Sequence, residues 1–251
     1  MKLMPRLVRS TYYRWRSQQL EFRPWAELAE CAEVQGASLA IVGNAGYLAE
    51  LDQGRQIDGH DLVLRMNNFR TSGFERQVGS RCDIFLSGFC QDVDFTRLEL
   101  QAARHIVSSI PANFRKLPDR KIHTRGGEWI TAGLLAMHRR RAYVPNVADF
   151  AGRIRQIGRY PTTGAMAILL ALEHLVAACP RAYITGFSFF TGPTHYFTSQ
   201  QIVPRNHNID SERRVLKDLL APAIAGGRVL LDPIMSENLF SDGMKLSAPA
   251  A

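Results

Sequence analysis

Six short apolar runs constrain this chain more than any other feature: SLAIVG (38–43), DLVLRMN (61–67), CDIFLSG (82–88), HIVSSI (105–110), AYITGF (182–187) and RVLLDP (228–233). Each is β-branched or aromatic in character and ends in turn-forming or polar residues, the pattern of strands buried on both faces of a mostly parallel sheet. Helical stretches lie between them. The strongest, TTGAMAILLALEHLVAAC (162–179), opens at a threonine cap and is apolar along most of its length. Strands alternating with helices predict a Rossmann-like α/β/α sandwich in a single domain, with ligands at the carboxyl ends of the strands. A chain of 251 residues that is 46% hydrophobic can fill such a core.

The flanks read differently. Residues 1–25 carry six Lys or Arg against one Glu, with Leu3, Met4, Leu7, Val8, Tyr12, Tyr13 and Trp15 interleaved. That mixture suits an interfacial helix resting on anionic lipid, and equally a basic amphipathic helix packed on its own domain. The divisions expected are a basic N-terminal segment (1–30), the folded domain (31–240) and a flexible tail (241–251). Residues 113–160, rich in Arg and without clear periodicity, read as a long excursion near the site. Neither a membrane-spanning run nor a signal-type apolar core is visible, so the expected location is the cytoplasm, peripheral on the inner face of the membrane. Cys31, Cys82, Cys90 and Cys179 lack CxxC spacing and read as reduced thiols. The net charge of +8 implies anionic partners. No nucleic-acid motif accompanies it, so nucleic acid is not the expected partner.

IVGNAGYL (41–48) reads as a strand, a tight turn with two glycines and the start of a helix. Gly43 and Gly46 would let backbone approach a phosphate or ribose, and the Asn44 amide can read a base or ribose edge. The spacing is GxxG, neither a dinucleotide fingerprint nor a P-loop. Asn67 closes a strand. Arg65 and Arg81 either attract an anionic ligand or pair with Asp58, Asp61 or Asp83. DVD (92–94) has the form of a divalent-ion site, but it is read as a solvated loop, and no metal is expected.

The long stretch from 39 to 85 resembles the long sialyl motif of the eukaryotic-type sialyltransferase family, through VGNAG, IDGHD, RMN, GFE and VGSR in that order. GRYPTTGAMAILLALEHLVAACPRAYITGF (158–187) is similar to the short motif. HYFT (195–198) is similar to motif III, with Thr198 where an acid is usual, and HNIDSE (207–212) to the very short His-x4-Glu motif. The resemblance implies a GT-A-like variant of the Rossmann architecture. It also implies inverting, metal-independent transfer of sialic acid from CMP-sialic acid to a hydroxyl of a glycan or glycolipid acceptor, without a cofactor. His207 then serves as general base, with Glu212 orienting the site. His195, Tyr160, Thr162, Thr163 and the Gly164 amide meet the leaving phosphate, while Gly43, Asn44, Ala45, Gly46 and Asn67 hold cytidine and ribose. A CMP-Kdo donor and a non-catalytic nucleotide-binding module are the alternatives. In animal members a cysteine at the start of the long motif pairs with one in the short motif. Cys179 matches the second, but Leu39 stands at the first, which implies a cytosolic, bacterial relative making lipopolysaccharide or capsule.

Overall fold

The computed structural model describes residues 6–89, 93–112, 126–200 and 206–241. Among these, β1 (Glu21–Pro24), β2 (Ser38–Val42), β3 (Leu62–Met66), β4 (Ile84–Ser87), β5 (His105–Ser108), β6 (Arg141–Val144), β7 (Arg181–Thr185) and β8 (Val229–Leu231) form one sheet. The spatial order is β1-β6-β5-β4-β3-β2-β7-β8. Every pairing is parallel. The six apolar runs are β2, β3, β4, β5, β7 and β8, and the expected sandwich is found as a single α/β domain with an all-parallel sheet.

The helices are α1 (Arg6–Ser17), α2 (Trp25–Ala29), α3 (Gly54–Asp58), α4 (Glu75–Val78), α5 (Leu98–Gln101), α6 (Gly126–Ala136), α7 (Val147–Ile157), α8 (Thr163–Leu170), α9 (Val176–Ala178), α10 (Ile209–Ala225) and α11 (Pro233–Phe240). Side chains alternate across β2, and both faces are dry. Leu39 and Ile41 enter the larger core with Leu28 of α2, Met166 and Leu169 of α8, and Leu216 and Leu220 of α10. Ala40 and Val42 enter a smaller one with Leu48, Ile57 of α3 and Val78 of α4. Burying each such Leu or Ile contributes about 1.5–3 kcal/mol. The long helix begins where its threonine places it, the Thr162 hydroxyl accepting the Ala165 N–H at 3.0 Å. A π turn over Ala171–Leu175 then separates α8 from α9.

Two expectations require correction. The boundary at residue 30 does not hold, because β1 pairs with β6 and both Trp25 and Leu28 are buried in the core. Within the N-terminal segment α1 packs on α6, and Tyr13 is buried while Trp15 is exposed. Nor does the long excursion expected over 113–160 lack periodic elements, for its described part, 126–160, holds α6, β6 and α7. Both missed strands, EFRP and RAYV, lie on the β1 side of the sheet and carry charged residues at their exposed ends. Glu21 and Arg141 pair there at 2.7 Å. Asp92, Cys90 and the tail from 242 lie outside the described residues.

Chain order jumps between β2 and β7. After β2 the strands run outward through β3, β4 and β5 to β6, and the chain returns to place β7 on the other side of β2. In an open parallel sheet, the carboxyl end of such a reversal is where ligands bind. Backbone strain gathers on the same edge. Asn67 after β3, Phe89 after β4, and Phe189 and Phe190 after β7 all have positive φ, a conformation costly for bulky residues and mildest for Asn.

Candidate active site

At the reversal, the exits of β2 and β7 touch backbone to backbone. A Cβ on Gly43 would stand 2.0 Å from the Gly186 carbonyl oxygen, and one on Gly46 would stand 2.5 Å from the Pro193 side chain. The N–H groups of Gly43, Ala45 and Gly46 donate to the carbonyls of Thr185, Gly186 and Pro193 at 2.8, 3.0 and 2.9 Å. These glycines therefore admit a close approach of protein backbone, and three of the loop's amides are already engaged. The loop meets solvent chemistry through Asn44. Its Nδ2 donates to the Met66 carbonyl at 3.1 Å, tying the β2 exit to the β3 exit. Its Oδ1 is buried without a partner among the described residues, an acceptor still lacking a donor there.

Asn67 follows immediately at the β3 exit. Its left-handed backbone (φ 48°) donates N–H to the Leu86 carbonyl at 3.0 Å, and its Oδ1 accepts the Ser87 hydroxyl at 3.2 Å. The HYFT segment lies against the same loop, the Tyr196 N–H donating to the Asn44 carbonyl at 3.0 Å. Tyr196 is anchored in turn by hydrogen bonds between its hydroxyl and the Arg70 backbone. His195 thus stands beside Asn44, stacked on Phe197 with ring centroids 5.0 Å apart. Burial holds its imidazole below the ordinary histidine range.

The turn before α8 supplies the rest. A Cβ on Gly164 would stand 3.2 Å from the Phe187 ring and one on Gly43 would stand 3.3 Å from it, so the α8 N-terminus and the glycine loop share one neighbour. The first-turn amides of Thr163 and Gly164 have no acceptor within their own helix. Just ahead of α10, the His207 Nδ1 lies 2.6 Å from the Tyr160 carbonyl oxygen. A carbonyl only accepts, so Nδ1 carries the proton and Nε2 keeps its lone pair. Burial lowers the pKa of His207, partly opposed by that hydrogen bond. The ring is therefore neutral near pH 7, with a basic nitrogen of fixed tautomer.

Glu212 does not contact His207. It is 3% exposed, and its carboxylate accepts the Thr162 N–H at 2.8 Å and the Thr162 hydroxyl at 2.6 Å. Burial pushes this carboxyl up to about 7, against the pull of both Thr162 hydrogen bonds. His207 and Glu212 thereby grip the same turn at two points, Tyr160 and Thr162. No i+5 spacing could reveal this, because the partners lie fifty residues apart. Asp232 was also missed. It accepts the Tyr47 hydroxyl at 2.7 Å and caps α11 through the Met235 N–H at 2.8 Å. Its signal was local: an Asp followed by Pro is a helix start.

Arg65 and Arg81 are both held by backbone carbonyls, with the Arg65 Nη1 buried and without a partner among the described residues. Arg65 is fully buried, donating to the carbonyls of Arg81 and Val78, and forms no ion pair among the described residues. Arg81 pairs with Asp83 at 3.0 Å and donates to the carbonyls of Asp58, His60 and Asp61. Of the DVD stretch, Asp94 is occupied locally, accepting the Thr96 N–H and hydroxyl. Among the described residues no three His, Cys, Asp or Glu side chains converge to hold a metal ion.

A family model described as glycosyltransferase family 29 (sialyltransferase) matches residues 9–92 and 133–224. A type 2 lactosamine alpha-2,3-sialyltransferase of Mus musculus is 28% identical over 208 residues, 72% of this chain and 61% of that protein. A CMP-N-acetylneuraminate-beta-galactosamide-alpha-2,3-sialyltransferase 1 of Sus scrofa is 30% identical over 167 residues, covering 59% of this chain and 43% of the relative. The chain thus spans about half the length of the curated relatives it matches. A crystal structure of a mammalian sialyltransferase shares the fold, with a TM-score of 0.56 at 19% identity, over 88% of this chain and 78% of that one.

Proposed function

The chain belongs to glycosyltransferase family 29, the sialyltransferases, and on that premise we propose that it transfers sialic acid from CMP-sialic acid to a glycan hydroxyl with inversion. The observation that carries the reading is the 2.6 Å contact of His207 Nδ1 with the Tyr160 carbonyl, which leaves a neutral Nε2 as proton acceptor. As the acceptor oxygen bonds to the anomeric carbon, Nε2 takes its proton and the carbon–oxygen bond to phosphate breaks, releasing CMP. The leaving phosphate gains charge, and it is met by the Thr163 and Gly164 amides with His195, Tyr160 standing at the same turn. Asn44 and Asn67, at adjacent strand exits, hold the cytidine and ribose. The Asn44 Oδ1, without a partner among the described residues, suits a ribose hydroxyl or the cytosine amino group. Glu212 is a positioning residue, holding Thr162 and through it the turn that carries Tyr160. The names of the relatives favour a galactose-terminated, lactosamine-type acceptor.

The test is His207→Ala assayed with CMP-sialic acid and such an acceptor. Turnover should fall about a hundredfold or more, as for a lost general base, while CMP binding changes little. Near-normal turnover on a verified acceptor would remove His207 from the mechanism. Parallel assays with CMP-Kdo separate donor from base, since transfer from CMP-Kdo alone would reassign the sugar and leave the histidine in place.

A further inference from the structure

We propose that a cleft between α1 and α6, at the amino ends of β1 and β6, binds the phosphate headgroups of an anionic lipid surface. The cleft is lined by Arg16, Gln19, Leu20, Leu135 and Arg140 and has a volume of about 280 Å³. Three observations converge on it. Among the described residues its two guanidinium groups enter no ion pair: those pairs leave out Arg14, Arg16 and Arg140, and the nearby Glu21 is already bound to Arg23 and Arg141. The Arg16 Nε is buried without a hydrogen-bond partner among the described residues, a donor costly to leave without an acceptor. Beside the cleft stands Trp15, 53% exposed on a helix whose Tyr13 is buried. Its ring lies 5.8 Å from the Arg16 guanidinium.

These groups match a phospholipid interface part by part. Guanidinium groups take phosphate oxygens in a fork geometry, and an amphipathic indole settles at the boundary between headgroups and acyl chains. Leu20 and Leu135 continue the apolar side. A soluble anion would use the arginines and have no need of the tryptophan. The packing of α1 on α6 and the membrane contact are compatible, because α1 buries Tyr13 while leaving Trp15 exposed. This inference is independent of the reaction proposed above, since the cleft lies at the opposite ends of the strands from Asn44 and Asn67.

Co-sedimentation with vesicles of phosphatidylglycerol and phosphatidylcholine (30:70), and of phosphatidylcholine alone, tests it. The wild-type chain should bind the first and not the second. Arg16→Gln with Arg140→Gln should weaken binding roughly thirtyfold, from about 1 kcal/mol per basic residue at an anionic surface. Arg76→Gln with Arg155→Gln removes the same charge elsewhere and should change binding little. An equal loss in that control overturns the site in favour of diffuse charge. Brominated acyl chains should quench wild-type fluorescence and spare Trp15→Phe, which decides the matter even if the double variant does not fold. Thermal stabilisation by inorganic phosphate without vesicle binding would instead assign a soluble-anion site and overturn the lipid proposal.

Discussion

Replacing Glu212 with glutamine should change how stability depends on pH, because the carboxyl is nine-tenths buried or more and carries no ion pair among the described residues. Burial raises it from 4.5 to about 7, which corresponds to about 3 kcal/mol of proton-linked stability. The sign follows from the direction. A carboxyl raised in the folded state contributes stability fully present below pH 4.5 and lost as pH rises through about 7. The amide introduced by Glu212→Gln would be neutral throughout and would keep one acceptor for Thr162, at a fixed cost for the other hydrogen bond. The wild-type chain should therefore lose about 3 kcal/mol relative to Glu212→Gln between pH 4.5 and pH 8. Urea unfolding of both chains across that range measures the difference. His195 and His207, whose pKa values are lowered by burial, contribute with the opposite sign in the same window, but they are present in both chains and cancel. Parallel stability curves would show that Glu212 is already ionised when folded, and the argument from its burial would be wrong.

Gly43→Ala should destabilise the chain by about 3 kcal/mol or more, since the new methyl would meet the Gly186 carbonyl inside van der Waals contact; a thermal midpoint within a degree or two of wild type would refute the close approach. Asn44→Ala and Asn67→Ala should each weaken CMP binding about five- to tenfold, the worth of a hydrogen bond or so, as read by calorimetry; unchanged affinity would detach the strand exits from the nucleotide. The acidic limb of kcat/KM should lie below pH 6.5, because His207 is lowered by burial and must be deprotonated to act. A limb above pH 7 would point to another base.

The sheet was legible where strands are buried on both faces, since runs such as SLAIV and LVLRM leave no solvent side to hide the pattern. EFRP and RAYV were opaque because Glu21, Arg23 and Arg141 are partly exposed, so their composition resembles a loop. At the site, residues close in sequence were readable as motifs. The glycine loop was legible, but the backbone crossing it was not. A glycine needed for a ligand and one needed for a crossing backbone look alike until Gly186, far along the chain, is seen against Gly43. The Thr162–Glu212 pair was hidden for the same reason, and Arg65 gave no local sign that its partners would be carbonyls.

The place of β2 in the sheet also sets the order in which the molecule can be completed. Its neighbour β3 follows within the next few dozen residues, but its other neighbour, β7, is made only after most of the chain has left the ribosome. Until then Leu39–Val42 present an open, apolar strand edge, the kind that pairs with the wrong partner. Contacts this distant in sequence are slow to form. The seam between Gly43 and Gly186 is thus among the last parts to close. Refolding from urea should regain helical signal well before CMP binding, and expression should depend on chaperones more than a local topology would require.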